Sequence, residues 1–74
     1  MVMAVEIAPG ITVDSAVSFG KPVVKGTRVP VHIVIGSLAS GLPAEKVVKE
    51  YDLTLENIRA CLAYAARLVE EQEV

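Results

Sequence analysis

The sequence has few of the residues that stabilise or equip a small domain: among its 74 residues there is one cysteine and one histidine. A single cysteine excludes an intrachain disulfide, and Cys61 with His32 provides too few ligands for a four-coordinate zinc site. The two residues also lie far apart in sequence and match no motif for nucleophilic catalysis. We therefore expect a protein that is not an enzyme and that binds neither a metal nor a cofactor.

Long uncharged runs are also lacking. The longest stretch without Lys, Arg, Asp or Glu, residues 29–44, contains two prolines and two glycines and is too short to cross a bilayer. The N-terminus has no basic segment, and Glu6 interrupts its apolar run, so no export signal is predicted. The expectation is a cytoplasmic protein with no membrane contact.

Apolar residues, in contrast, are abundant, at 53% of the chain with a mean hydropathy of +0.51. A chain of this size buries only about 60% of the surface that its unfolded form exposes, so its core is marginal. Because a disulfide and a metal are excluded, association is the remaining way to stabilise it. We expect one domain, residues 1–74, that forms a homodimer or binds a permanent partner.

Positive charge is concentrated in one segment of an acidic chain. The net charge is −2, yet residues 20–30 carry +3 through Lys21, Lys25 and Arg28. The net charge argues against strong non-specific DNA binding. The basic segment nevertheless favours contact with an anionic surface, the alternative being that its cations are simply solvated turn residues.

Residues 1–29 are expected to form a small β hairpin or arm. Residues 11–14 alternate and follow a Pro-Gly break, which predicts a short strand. Phe19 and Val23-Val24 are predicted to form a second extended segment. Gly26 is expected to lie in a turn, since glycine tolerates positive φ.

Residues 30–74 show the periodicity of three helices, so the predicted fold is mainly α with a short N-terminal β element. The first helix begins at Pro30 and ends before Gly41, and Ile33 points away from its apolar stripe. The second begins near Pro43, and the third spans residues 55–71 with Thr54 as its N-cap. The predicted inward face of the third helix consists of Leu55, Ile58, Leu62, Ala65 and Val69. Its far end is expected to project or to pair, and the three-residue turn before the helix predicts a helix-turn-helix shape.

Three segments resemble the domain-of-unknown-function 433 family. They are the run Gly20-Lys21-Pro22 to Lys25-Gly26-Thr27-Arg28 and Pro30-Val31, the run Ala39-Ser40-Gly41, and the run Tyr51-Asp52-Leu53-Thr54. The resemblance implies a homeodomain-like, three-helix helix-turn-helix unit behind the β element. It also implies a function like that of VapB-type antitoxins, which are encoded beside a PIN-like ribonuclease toxin. The turn at Asp52 is shorter than the family commonly has.

The first functional hypothesis is operator DNA binding. The N-terminal residues of a recognition helix contact base edges, which would be Thr54, Asn57 and Arg59 in this chain. Lys21, Lys25 and Arg28 would add phosphate contacts as a basic arm.

The second hypothesis is neutralisation of a PIN-like ribonuclease toxin. Lys25 or Arg28 would reach the acidic metal site of the nuclease or its rim, supported by Ile33. In another version the projecting third helix is an apolar ligand for a groove of the toxin. The alternative to both is a homodimeric DNA-binding regulator or a structural interaction module with no toxin partner.

Overall fold

A small antiparallel sheet is followed by three helices, making the chain mainly helical. The structure is a computed structural model that describes residues 4–72. The sheet has the strand order β1-β2-β3, and a short 3-10 turn at Ser18–Gly20 precedes its last strand. The elements are β1 (Val5–Ala8), β2 (Ile11–Val13), β3 (Val23–Val24), α1 (Val31–Ala39), α2 (Ala44–Tyr51) and α3 (Leu55–Gln72).

Strand β1 was not predicted, although β2 was. The two strands pair antiparallel, with Val5 opposite Val13, and the register shifts by one residue between Glu6 and Ala8. Three of the four residues of β1 are exposed, so the strand lacks the alternation of buried and exposed positions that sequence patterns detect. Its tight turn requires Gly10, which adopts φ +77°.

The segment before β3 differs from the prediction because Phe19 is not extended. Ser18 and Phe19 have φ values of 53° and 57°, and Gly20 follows at 79°. Backbone bonds close this left-handed turn, with the Gly20 N–H donating to the Val17 carbonyl at 3.1 Å. Val23–Val24 is a strand as expected. The glycine signal at position 20 marked a turn that also includes the two residues before it.

The predicted turn at Gly26 is confirmed. Gly26 has φ +77°, and the Thr27 N–H donates to the Val24 carbonyl at 3.0 Å. The Thr27 hydroxyl also donates to that carbonyl at 2.8 Å and accepts from the Val29 N–H at 3.0 Å. Each of these bonds fixes the return of the chain towards α1.

Helices α1 and α2 match their predicted positions and faces. Val31, Val34 and Val47 are buried, while Ile33 is exposed. Asp52 ends α2 in the left-handed conformation at φ 56°, and its N–H donates to the Val48 carbonyl. This conformation lets a turn of three residues connect α2 to α3.

Helix α3 has the predicted length, but only part of its predicted inward face is buried. Ile58 and Cys61 are buried, whereas Leu55, Leu62 and Val69 are 52%, 48% and 57% exposed. With 3.6 residues per turn, the mean direction of Ile58 and Cys61 lies about 70° around the helix from that of Leu55, Leu62 and Val69. The reason is the β1–β2 turn, since an ideal Cβ on Gly10 would come within 3.0 Å of the Ala60 Cβ. Such a close approach requires small side chains on that part of α3.

The core lies between one face of the sheet and the three helices. Thr12 and Val23 alternate with core residues of β2 and β3, and they are buried on the other face of the sheet. None of the helices within residues 4–72 has the length and apolar character needed to cross a bilayer. The buried core cluster comprises Ala8, Ile11, Val24, Val31, Val34, Val47, Leu53, Ile58 and Cys61.

Candidate protein-binding surfaces

The first candidate surface consists of the exposed residues of the predicted inward face of α3, together with Ala66. We call Leu55, Leu62, Ala66 and Val69 the apolar flank of α3, and all four are exposed. From Ala66 to Gln72 every residue of the helix is exposed, which agrees with the expectation that this end projects. Two turns of helix with few tertiary contacts are marginally stable, so this surface is suited to a partner.

The start of α3 is fixed by a reciprocal cap. The Asn57 N–H donates to the Thr54 hydroxyl at 3.1 Å, and the Thr54 N–H donates to Asn57 Oδ1 at 2.9 Å. This arrangement is a capping box with asparagine at its third helical position. The Thr54 role as N-cap is therefore confirmed, and two polar groups assigned to base recognition already have partners in the chain.

Asn57 and Arg59 line a cleft beside the β1–β2 turn. Its other lining residues include Pro9, Gly10 and Glu56, so a carboxylate lies in the same cleft as the Arg59 guanidinium. The turn itself flanks this side of α3. Sequence reasoning placed Arg59 on an open recognition helix, because it did not detect β1.

Lys25 forms an ion pair that sequence reasoning did not predict. Its Nζ lies 2.9 Å from Glu6 Oε1, and Glu6 Oε2 accepts from the Gly10 N–H at 3.0 Å. The Gly10 N–H and then Lys25 lower the pKa of the Glu6 carboxyl. Glu6 lies on β1 and Lys25 directly follows β3, the two edge strands of the sheet, so the pair joins the basic segment to β1.

Arg28 and Ile33 are both exposed at the start of α1. Among residues 4–72, Arg28 makes no ion pair, whereas Lys25 does. The three cations of the basic segment thus differ: Lys25 is paired, Arg28 is free within the described range, and Lys21 lines a groove on another part of the surface.

That groove, which we call the α1–α3 groove, is the second candidate surface. It has a volume of about 470 Å³ and lies between α1, the later part of α3 and the segment before β3. Its lining is mainly apolar, with Lys21 and His32 as the polar members. The lining residues are Lys21, Pro22, Val31, His32, Ile35, Tyr64, Ala65 and Leu68.

Histidine and cysteine have separate positions in the fold. His32 lines the groove, whereas Cys61 is fully buried in the core, and burial raises the pKa of its thiol. Over residues 4–72, no three side chains of His, Cys, Asp or Glu come together as a group that could hold a metal.

Phe19 is the residue of most functional interest that sequence reasoning missed. Its side chain is 98% exposed, more than any other large apolar side chain of the described residues. The pattern Ser-Phe-Gly before Lys-Pro was the only available signal, because glycine indicates a turn that can carry a preceding side chain outwards.

The family model for DUF433, described as a protein of unknown function, matches residues 11–65 of this chain. The chain belongs to the DUF433 family. The DUF433 match begins at β2 and ends inside α3, so β1 and the projecting end of α3 lie outside it. It includes Phe19 and most residues of the α1–α3 groove.

A solved relative has a similar fold and is much longer. The crystal structure of Rv2018 from Mycobacterium tuberculosis matches with 31% sequence identity and a TM-score of 0.65. The match covers 70% of this chain and 24% of that chain, so it spans about a quarter of the relative's length. No curated protein matches the chain.

Proposed function

We propose that this DUF433 chain is a non-enzymatic, antitoxin-like module that binds and neutralises a PIN-like ribonuclease toxin. The observation that carries the proposal is the apolar flank of α3. Leu55, Leu62 and Val69 are about half exposed on one side of α3, and the helix is exposed on every side from Ala66 to Gln72. An exposed apolar helix face of this kind fits a hydrophobic groove of a partner protein.

The choice of a toxin as the partner follows from the family resemblance, and the charges of the chain agree with that choice. A PIN-like nuclease has carboxylates around a divalent metal, so a cation is a suitable ligand for its rim. Because Lys25 is paired with Glu6 and Arg28 has no partner among residues 4–72, we assign that contact to Arg28 in preference to Lys25. Exposed Ile33, five residues further along, supplies an apolar contact beside it.

Operator binding is the second candidate, and one observation favours it. Three residues, 52–54, connect α2 to α3, the length typical of a helix-turn-helix motif. We propose a homeodomain-like arrangement in which base contacts come from Arg59 and the Asn57 side-chain N–H₂. The Thr54 hydroxyl and Asn57 Oδ1 serve the cap instead.

The test of the toxin proposal is co-expression with the product of the adjacent gene, followed by co-purification and a ribonuclease assay. We expect a stable complex in which the nuclease is inhibited. Leu62→Asp should abolish that complex by placing a charge on the apolar flank. Ala63→Asp, a matched control one residue later on another face of α3, should retain it despite a loss of helix propensity that is at least as large.

Arg28→Glu separates the roles of charge and apolar contact. It should retain much of the complex while restoring nuclease activity, since the cation acts at the rim of the active site. Equal inhibition by the wild type and both Leu62→Asp and Arg28→Glu would overturn the proposed contacts. If no complex forms, the toxin proposal fails, and binding to the chain's own promoter across a salt series tests the operator alternative.

A further inference from the structure

We propose that the chain forms a symmetric homodimer in which Phe19 of each copy inserts into the α1–α3 groove of the other. The occupant of the groove is thus a second copy of this chain. This surface is separate from the apolar flank of α3, so the inference goes beyond the toxin proposal and does not depend on it.

Phe19 is held outwards by its backbone. Ser18 and Phe19 both adopt left-handed φ values, which cost free energy for residues other than glycine and persist where the surroundings enforce them. The surroundings do so: Asp14, 5% exposed, accepts from the Ala16 N–H at 2.8 Å through its carboxylate and from the Val17 N–H at 2.9 Å through its carbonyl. A firmly bonded turn therefore presents an aromatic ring that makes almost no contact within its own chain.

The groove is a suitable receptor for such a ring. Its volume of about 470 Å³ lies within the range of ligand pockets, and its lining is mainly apolar. Ala65 is the small residue among its members, and Tyr64 provides an aromatic surface for an edge or stacked contact. One ring fills only part of the groove, which leaves space for the residues next to Phe19.

A second copy is favoured because ring and groove share one face of the molecule. Phe19 is two residues from Lys21, which lines the groove, so the two sites are neighbours. A two-fold interface requires a surface that complements itself, with residue i of one copy meeting residue j of the other and the reverse. A projecting ring beside an apolar groove satisfies that requirement.

The exposed area agrees with this arrangement. The chain exposes 5216 Å², about 800 Å² more than a compact monomer of its mass. That excess is close to the share of one partner in an interface of standard size.

The experiment measures the molar mass of the full chain by sedimentation equilibrium and compares two variants that block opposite sides of the interface. Phe19→Asp removes the ring, and aspartate tolerates the left-handed φ. Ala65→Arg fills the groove. Each variant should be monomeric, with the dimer dissociation constant raised at least about 100-fold, because every dimer loses two buried rings.

Mixing the two variants is the decisive part of the experiment. A heterodimer retains one intact Phe19–groove contact and gains an Asp–Arg pair at the other, so mass should return towards the dimer although each variant alone is monomeric. Ala66→Arg, one residue along and outside the groove, should dimerise like the wild type. Circular dichroism confirms that the variants are folded.

Two results would overturn the proposal. One is a monomeric wild-type chain at concentrations of about 100 μM, and the other is a Phe19→Asp variant that dimerises with unchanged affinity. If Phe19→Asp remains dimeric yet no longer binds the toxin, the ring belongs to the toxin contact and the second-copy assignment is wrong. The toxin proposal itself stands or fails on Leu62→Asp, so the two outcomes are distinguishable.

Discussion

The two apolar faces of α3 differ in what contacts them far more than in hydrophobicity. One face contains Ile58 and Cys61 and is buried, whereas the other contains Leu55, Leu62 and Val69 and is about half exposed. Both sets consist only of apolar residues. Beside the buried face, the small side chain of Ala60 allows the β1–β2 turn to approach α3 closely. Close fit therefore decided which face entered the core.

The largest expected effect compares the two faces directly by truncation. Ile58→Ala should lower the free energy of unfolding by about 2–4 kcal/mol, because it removes a buried side chain and leaves a cavity. Leu62→Ala should change it by less than about 1 kcal/mol, since the side chain is half exposed. Urea unfolding at one protein concentration measures both. Similar losses of unfolding free energy for the two variants would mean that the apolar flank of α3 is covered in solution. That result would contradict the difference described between the two faces.

The next effect concerns the contact that orients α3. Gly10→Ala should destabilise the chain by about 1–3 kcal/mol, since it combines a positive φ with a Cβ 3.0 Å from the Ala60 Cβ. Gly26→Ala is a matched control, because Gly26 has the same φ of +77° but open space around the added Cβ. The excess cost at Gly10 measures the contact with α3.

A double variant sharpens that measurement. Ala60→Gly should be costly alone, as glycine is unfavourable within a helix. Combined with Gly10→Ala it should restore room for the new Cβ, so the two costs should sum to less than their separate values. Strict additivity would show that the turn does not determine the orientation of α3.

The smallest effect concerns the carboxylate that supports the same turn. The pKa of Glu6 is lowered by the Gly10 N–H and by Lys25, so its contribution to stability is present at neutral pH. That contribution is lost as pH falls from the usual carboxyl range through the lowered pKa. The melting temperature of Glu6→Gln should thus lie slightly below that of the wild type at pH 7 and converge with it in acid. Both groups are exposed, so added salt should also reduce the difference.

Glu70→Gln provides the control for that pH series. Glu70 is exposed on the projecting end of α3 and forms no ion pair within the described part of the chain. Its melting temperature should follow the wild type throughout. A pH dependence for Glu70→Gln equal to that for Glu6→Gln would contradict the role assigned to the turn.

Local patterns determined much of this molecule. The 3.6-residue period placed all three helices, Gly26 and Gly41 marked turns, and Thr54 marked the start of α3. The exposure of Ile33 also followed from periodicity, because α1 has only one apolar stripe. These features depend on residues close together in the sequence, where spacing is sufficient information.

Tertiary structure alone decided the features that involve distant segments. It paired Lys25 with Glu6 and rotated α3 about its axis, and neither feature has a local signature. A helix with two apolar stripes can pack on either, and the choice depends on the shape of what meets it. In this chain a glycine turn fifty residues earlier, at Gly10, settles which stripe is core and which remains available to a partner.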